Sequence, residues 1–509
     1  MSRRLVSALL ALYPREWRRR YSDELADLCQ ECLDAGDTTR ARLVAGLVGP
    51  AFAERARSLA SVPRRARTAA TAPAAAATAA TAAVALSLVG VLSGTAPPAG
   101  AAILVASDCS ANVPVWCLVP HAFRVAYGIS PLIGRGIDGK GVTVAVVVET
   151  GPASTGDATN IRTDLSVYDR HFGLPPVHLQ VVDRFARSLS PSLVPRSEVA
   201  YAEMVHAVAP GATVRVVLVP SVPANTLAGA VVARWLPAWK YAISTSDIVS
   251  FSGGAGEHCF TPSEASTANS LLSEAVTRHV TVVVSSGDRG PVSGLAGCGV
   301  ASSTPPYQVP VKEVDFPASD PLVLAVGGTQ LEAGPKTGTY IAETAWGGAG
   351  TAYLFASGGG FSKIFARPGY QDGVAGTGAY RGVPDVAADA GTGSGLAVLS
   401  TSAGVADIVS AAGTEAGAPF WAGVIALADQ YAGHDLGFVN PAIYSIAKSS
   451  RYGGAFHDVT TGSTTVLLPT RVTGYRAGLG WSPATGWGTP NVSVLVPLLA
   501  RHASSGATS

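Results

Sequence analysis

Charge is scarce in this sequence. Only 14% of its 509 residues are Asp, Glu, Lys or Arg and the formal net charge is +1, which leaves no basic surplus for a nucleic-acid partner. Lysine is missing altogether from residues 1–67, where thirteen Arg face eight acidic residues. Leucines recur there at helical spacing, around Leu9, Leu12, Leu25 and Leu28, as in short amphipathic helices of a solvated basic segment. Charge of either sign is absent from Thr68 to Ser107. Cysteine is sparse too, six in all, and falls by position into Cys29/Cys32, Cys109/Cys117 and Cys259/Cys298. The first pair is a CxxC in a helix-like stretch with no preceding strand, which argues against a redox or metal motif. The other two suit disulfides if that part of the chain meets an oxidising compartment.

The uncharged stretch is long enough at residues 74–95 to cross a bilayer as a helix, with its most apolar part at Val84–Leu92. Arg64, Arg65 and Arg67 precede it and Asp108 is the first charge beyond. The positive-inside rule therefore predicts a single-pass cell-membrane protein, cytoplasmic over 1–67 and extracytoplasmic in its large domain. The alternative is a secreted protein whose signal peptide is cut near Ala99-Gly100-Ala101. Residues 501–509 read as a disordered tail.

From about residue 118 to 500 strand-like and helix-like runs alternate. Val142–Val148 is almost continuously apolar, as for a parallel strand buried on both faces. Similar runs occur at Val216–Val219, Ile248–Phe251, Val280–Val284 and Leu322–Val326. Helical patterns lie between them at Val199–Val208, Leu227–Trp235 (ending before Pro237) and Ala265–Thr277. This alternation predicts a doubly wound, mostly parallel sheet.

Several ordered segments go further. They are Leu118-Val-Pro120 through Tyr127-Gly128, Gly136-Ile-Asp138-Gly-Lys-Gly141, Ala207-Val-Ala-Pro210-Gly211 and Ser285-Ser-Gly287-Asp288-Arg-Gly290. Then follow Phe316-Pro-Ala-Ser319, Ala325-Val-Gly-Gly-Thr329, Ser357-Gly-Gly-Gly-Phe-Ser362 and Arg381-Gly-Val-Pro-Asp385 through Asp389. Last come Gly413-Thr414, Ala418-Pro-Phe-Trp421 and Gly478-Leu-Gly-Trp481. Together they resemble the sedolisin family of serine-carboxyl peptidases. The resemblance implies a subtilisin-like α/β fold, here expected behind a short helical segment and one transmembrane helix.

The resemblance also implies a site. The family uses a Ser nucleophile at a helix start, a Glu that takes its proton, an Asp four residues on that orients the Glu, and a protonated Asp that donates to the oxyanion. Glu415 stands here at the nucleophile position. Counting back from Ala209-Pro210-Gly211 places Ser197 and Tyr201 at the Glu/Asp dyad positions. Tyr is neutral at acid pH and cannot orient a base by charge. Glu198 lies one residue, about 100°, around the helix, and with Glu203 reads as a solvated face. Glu149 matches a buttressing acid and Asp288 the oxyanion acid. The bulk that the family commonly carries at Gly253 is absent.

A family calcium site maps to Asp458, with backbone carbonyls at Val459, Gly478 and Gly480, but Ser482 replaces its second Asp. Fewer anionic oxygens predict a weak or empty site. The 10–15 residues between the uncharged segment and Leu118 leave no space for the family's prodomain. The sequence therefore predicts a pseudopeptidase with a peptide or protein ligand in the old substrate cleft. Two other readings stand beside it: a hydrolase rebuilt around Glu415 and Asp288, and a signalling protein whose residues 1–67 take a partner.

Overall fold

The structure is a computed structural model describing residues 104–105, 117–150, 158–186, 193–195, 197–220, 226–292, 298, 312–351, 354–402, 405–467 and 471–506. The expectations for residues 1–67, Cys29/Cys32, Cys109 and the span 74–95 lie outside this set.

The core is an eight-stranded sheet. Its strands are β1 (Thr143–Glu149), β2 (His178–Val182), β3 (Thr213–Val219), β4 (Ile248–Phe251), β5 (Thr281–Ser285), β6 (Leu324–Ala333), β7 (Tyr340–Ala345) and β8 (Val386–Asp389). They lie in the order β7-β6-β5-β4-β1-β3-β2, with β8 also on β6. Every pairing is parallel except β6 with β7. The middle residues of β1 are buried, as the unbroken apolar run requires of a strand covered on both faces. A separate hairpin, β9 (Ala397–Ser402) with β10 (Val405–Ser410), packs beside the helices described next.

Helices α1 (Pro120–Ala126), α2 (Ile161–Phe172), α3 (Val199–Val208), α4 (Ala228–Thr245), α5 (Pro262–Thr277) and α6 (Thr414–Ala432) flank the sheet. Asn160 caps α2 through Arg162 N and Thr163 N. Thr261 and Glu264 form a capping box on α5. Helix α6 is the central one. Trp421, Phe420, Ile425 and Leu427 are fully buried, and the Trp421 indole donates to the Ala387 carbonyl at 2.9 Å.

Two expectations about helices are corrected. Helix α4 does not end before Pro237 but runs through it to Thr245, because Ala238, Trp239, Ala242 and Ile243 continue a face buried against the sheet. That burial outweighs the hydrogen bond proline removes. A last helix, α7 (Val492–Gly506), extends into the stretch expected as a tail.

The transmembrane helix, and the single-pass localisation built on it, are corrected as well. Among the described residues no helix is long and apolar enough to cross a membrane. The longest described helices spend their apolar surface on the protein core: α4 carries Arg234 and Lys240 on its open side, and α6 is packed inside with Asp429 among its buried residues.

Candidate active site

The site lies outside the carboxyl ends of β1 and β5, where open α/β sheets present their crevice. Strand β1 ends on Glu149, and the turn after β5 carries Asp288. Helix α6 enters through Gly413, whose φ of +83° suits glycine. A Cβ there would also lie 2.7 Å from Asp288 Oδ2.

Thr414 and Asp288 are tied together. The Thr414 amide and hydroxyl both donate to Asp288 Oδ1 at 2.8 Å, and Thr414 Oγ1 accepts the Gly287 amide at 3.1 Å. Thr414 is fully buried. The next side chain, Glu415, is exposed on the cleft side and accepts the Tyr201 hydroxyl on Oε2 at 3.2 Å. Its backbone carbonyl accepts the Ser252 hydroxyl at 2.7 Å.

Glu198 stands just before the first residue of α3 without capping it, and its carboxylate instead accepts the Glu149 amide at 2.7 Å. Ser197 is exposed in the preceding turn. The acid that interacts with Glu415 from the start of α3 is therefore Glu198, with Tyr201 on the next turn. Residues 198 and 201 are three apart and share a helix face. The solvated reading of Glu198 and Glu203 is corrected: Glu198 is half-buried in the site, and Glu203 is fully buried on the opposite face, accepting the Leu399 amide at 2.8 Å.

The electrostatics follow from crowding like charges. Burial pushes the Glu198 carboxyl well above its usual range, and the charges of Glu149 and Glu415 push the same way. Burial raises Glu149 too. Glu415 is pushed up to about 7 by the protein behind its carboxyl and then by Asp288, against the Tyr201 hydrogen bond and the Arg289 charge. Solvent on its open side screens part of this push. Asp288 is raised by burial, partly offset by the Thr414 hydrogen bonds and Arg289.

Sequence reasoning missed Asp315 and Arg289. Asp315 Oδ2 lies 2.4 Å from where a Cβ on Gly287 would sit, and burial with Glu313 and Asp288 nearby pushes Asp315 to about 7. Its place just before Phe316-Pro-Ala-Ser319 was the available signal. A Cβ at Gly253 would lie 3.2 Å from the Phe251 ring, which itself packs on Trp235 and Trp239.

At the expected calcium position, both oxygens of Asp458 accept the Gly480 amide at 3.2 Å. The Ser482 hydroxyl pairs with Thr485 Oγ1 at 3.1 Å and accepts the Thr485 amide at 3.3 Å. Val459 and Gly478 lie in the flanking loops. Among the described residues the group of three metal-type side chains is His258, Cys259 and Cys298, and its two sulfurs form a disulfide. Cys117 is also disulfide-bonded.

A parallel α/β sheet, a buried helix starting at the cleft and carboxyls gathered around that start define a subtilisin-like fold of the serine-carboxyl peptidase type. No protein-family model matches the sequence. It is 31% identical over 374 residues to kumamolisin of Bacillus sp. (strain MN-32), covering 70% of this chain and 59% of that protein. It is 29% identical over 252 residues to human tripeptidyl-peptidase 1, covering 45% of this chain and 39% of that protein. The chain thus spans less than two thirds of the length of either relative. A solved structure of Pseudomonas sedolisin, a serine-carboxyl proteinase complexed with two molecules of pseudo-iodotyrostatin, superposes with a TM-score of 0.59 at 23% identity. The match covers 76% of this chain and 99% of that one. The chain belongs to the sedolisin family.

Proposed function

We propose that this protein is a sedolisin-family peptidase homologue that holds a peptide in its cleft and does not cleave it through an acyl-enzyme. One observation carries the reading: the side chain opening α6 toward the cleft is the Glu415 carboxyl, 3.2 Å from the Tyr201 hydroxyl, where the family has serine. A carboxylate that attacked a peptide carbonyl would leave an unstable anhydride. The neighbouring hydroxyl, on Thr414, is buried and donates to Asp288. Tyr201 is held neutral by burial and the charge of Glu415, so it takes no proton from a nucleophile.

A peptide ligand fits the family's cleft, and the near-zero net charge argues against nucleic acid. The Cys259–Cys298 disulfide suits a secreted protein. The residues present fit Ca²⁺ poorly: the Asp458 oxygens accept the Gly480 N–H and Ser482 brings no charge, which favours a weak or empty site.

The test is incubation of the full chain with a peptide library from pH 3 to 7, read by mass spectrometry of products and of intact protein. The expected result is saturable peptide binding with no cleavage. An acyl adduct on any residue sinks the reading.

A second reading has one observation in its favour, the push of Glu415 to about 7 beside Asp288. Two carboxyls with split titrations can act as acid and base on a water that attacks the peptide carbonyl. Cleavage by the wild type that Glu415→Gln abolishes would favour it.

A further inference from the structure

Behind the candidate site, on the far face of α3, polar side chains from three elements meet in the interior. Tyr168 (α2), Glu203 and His206 (α3) are fully buried, and Thr401 (β9) is 8% exposed. Each leaves a buried polar atom with no hydrogen-bond partner among the described residues: Tyr168 Oη, Glu203 Oε1, His206 Nδ1 and Thr401 Oγ1. Arg124 Nη2, reaching in from α1, is a fifth. Native interiors seldom leave such atoms unpaired, because each lost its water on folding.

The residues that carry these atoms are linked through the elements around them, and the Tyr168 hydroxyl feels the Glu203 and Arg124 charges. Glu203 Oε2 accepts the Leu399 amide, and Thr401 lies two residues on, on the same face of β9. The Thr401 amide donates to Asp164 Oδ2 at 3.3 Å, and Asp164 and Tyr168 sit one turn apart on α2. His206 follows Glu203 by one turn, and its Nε2 lies 3.0 Å from Asp169 Oδ1. Glu203 feels the charges of Asp164 and Asp169, and Tyr168 feels those of Glu203, Arg124 and Asp169.

We propose that α2, α3 and β9 enclose a hydration site in which ordered water bridges Tyr168 and Glu203. Water fits where other ligands do not. The set mixes a donor-only guanidinium, a carboxyl acceptor and hydroxyls that do either, and water serves both roles with two to four partners. The carboxyls of Asp164, Asp169 and Glu203 are not gathered closely enough to hold a metal ion. The water supports α3 from behind, while Glu198 and Tyr201 on its other face meet Glu415.

The test is a crystal structure of the full chain at a resolution that places single waters. Discrete peaks within about 2.7–3.2 Å of Tyr168 Oη and Glu203 Oε1 are expected. An empty interior overturns the proposal. So does a peak that gains anomalous signal after rubidium exchange, which identifies a cation. Thermal unfolding of Tyr168→Phe gives an independent reading. A hydroxyl bound to water makes the variant less stable, by about 1–3 °C in Tm, whereas a dry hydroxyl makes it more stable.

Discussion

The Tyr201 hydroxyl donates to Glu415 across the cleft at 3.2 Å, linking the start of α6 to the face of α3. That bond favours the ionised carboxylate, against the protein packed behind the carboxyl and the Asp288 charge that push Glu415 to about 7. Tyr201→Phe removes the favourable part alone. The Glu415 titration midpoint is then expected to move upward, as read by carbon-13 NMR of labelled glutamate. A midpoint unchanged or lowered would show that the bond does not form in solution.

Activity depends on what accompanies a serine. Glu415→Ser alone leaves Tyr201 opposite the hydroxyl, and Tyr cannot orient a base by charge. With Tyr201→Asp added, Glu198 gains an acidic partner on its own helix face. The double variant is expected to gain acid-pH peptidase activity at least about 10³-fold above the single one, because nucleophile and base act as a unit. Appreciable hydrolysis by Glu415→Ser alone would show that Glu198 needs no such partner.

Stability should favour acid. Glu343 lies in the core, where its carboxyl accepts Tyr127 Oη at 2.7 Å, Thr329 Oγ1 at 2.8 Å and Thr489 Oγ1. Burial still pushes it from 4.5 to about 7. The folded state thus binds the proton more tightly than the unfolded chain. Its stabilising contribution is complete below pH 4.5 and is lost as pH rises through about 7. Asp315 and Asp389 are raised in the same direction. Tm is expected to fall between pH 5 and pH 8, and Glu343→Gln should remove on the order of 2–3 kcal/mol of that dependence. A Tm that rises over this range would reverse the assignment.

Gly413 is where backbone and site meet. Alanine would be strained at φ +83° and would press on Asp288 Oδ2 at 2.7 Å. Gly413→Ala should cost about 1–3 kcal/mol in denaturant unfolding. A neutral result would mean that the start of α6 relaxes freely.

Calcium offers a gain-of-function check. Wild-type Tm should move by less than about 1 °C on adding millimolar Ca²⁺, whereas Ser482→Asp should create a concentration-dependent rise. A large wild-type shift reversed by chelator would restore the metal.

Much of the fold was legible because its signals are local. The apolar runs of β1, β4 and β5 and the ordered Gly- and Pro-containing segments lie in contiguous sequence, and the structure has strands at those runs. The site was legible only in part. Counting along α3 gave Ser197 and Tyr201, but the helix begins after Glu198, so Ser197 turns outward.

The sequence by itself determined that a carboxyl, Glu415, follows Gly413-Thr414 and that Asp288 remains, because residue identity needs no neighbours to be read. The tertiary structure decided which acids meet. Periodicity tells which residues of one helix share a face, while the element packed against that face decides whether it is wet or dry. Glu203 is buried because β9 lies over it, and Thr414 is tied to Asp288 because two loops distant in sequence close on each other.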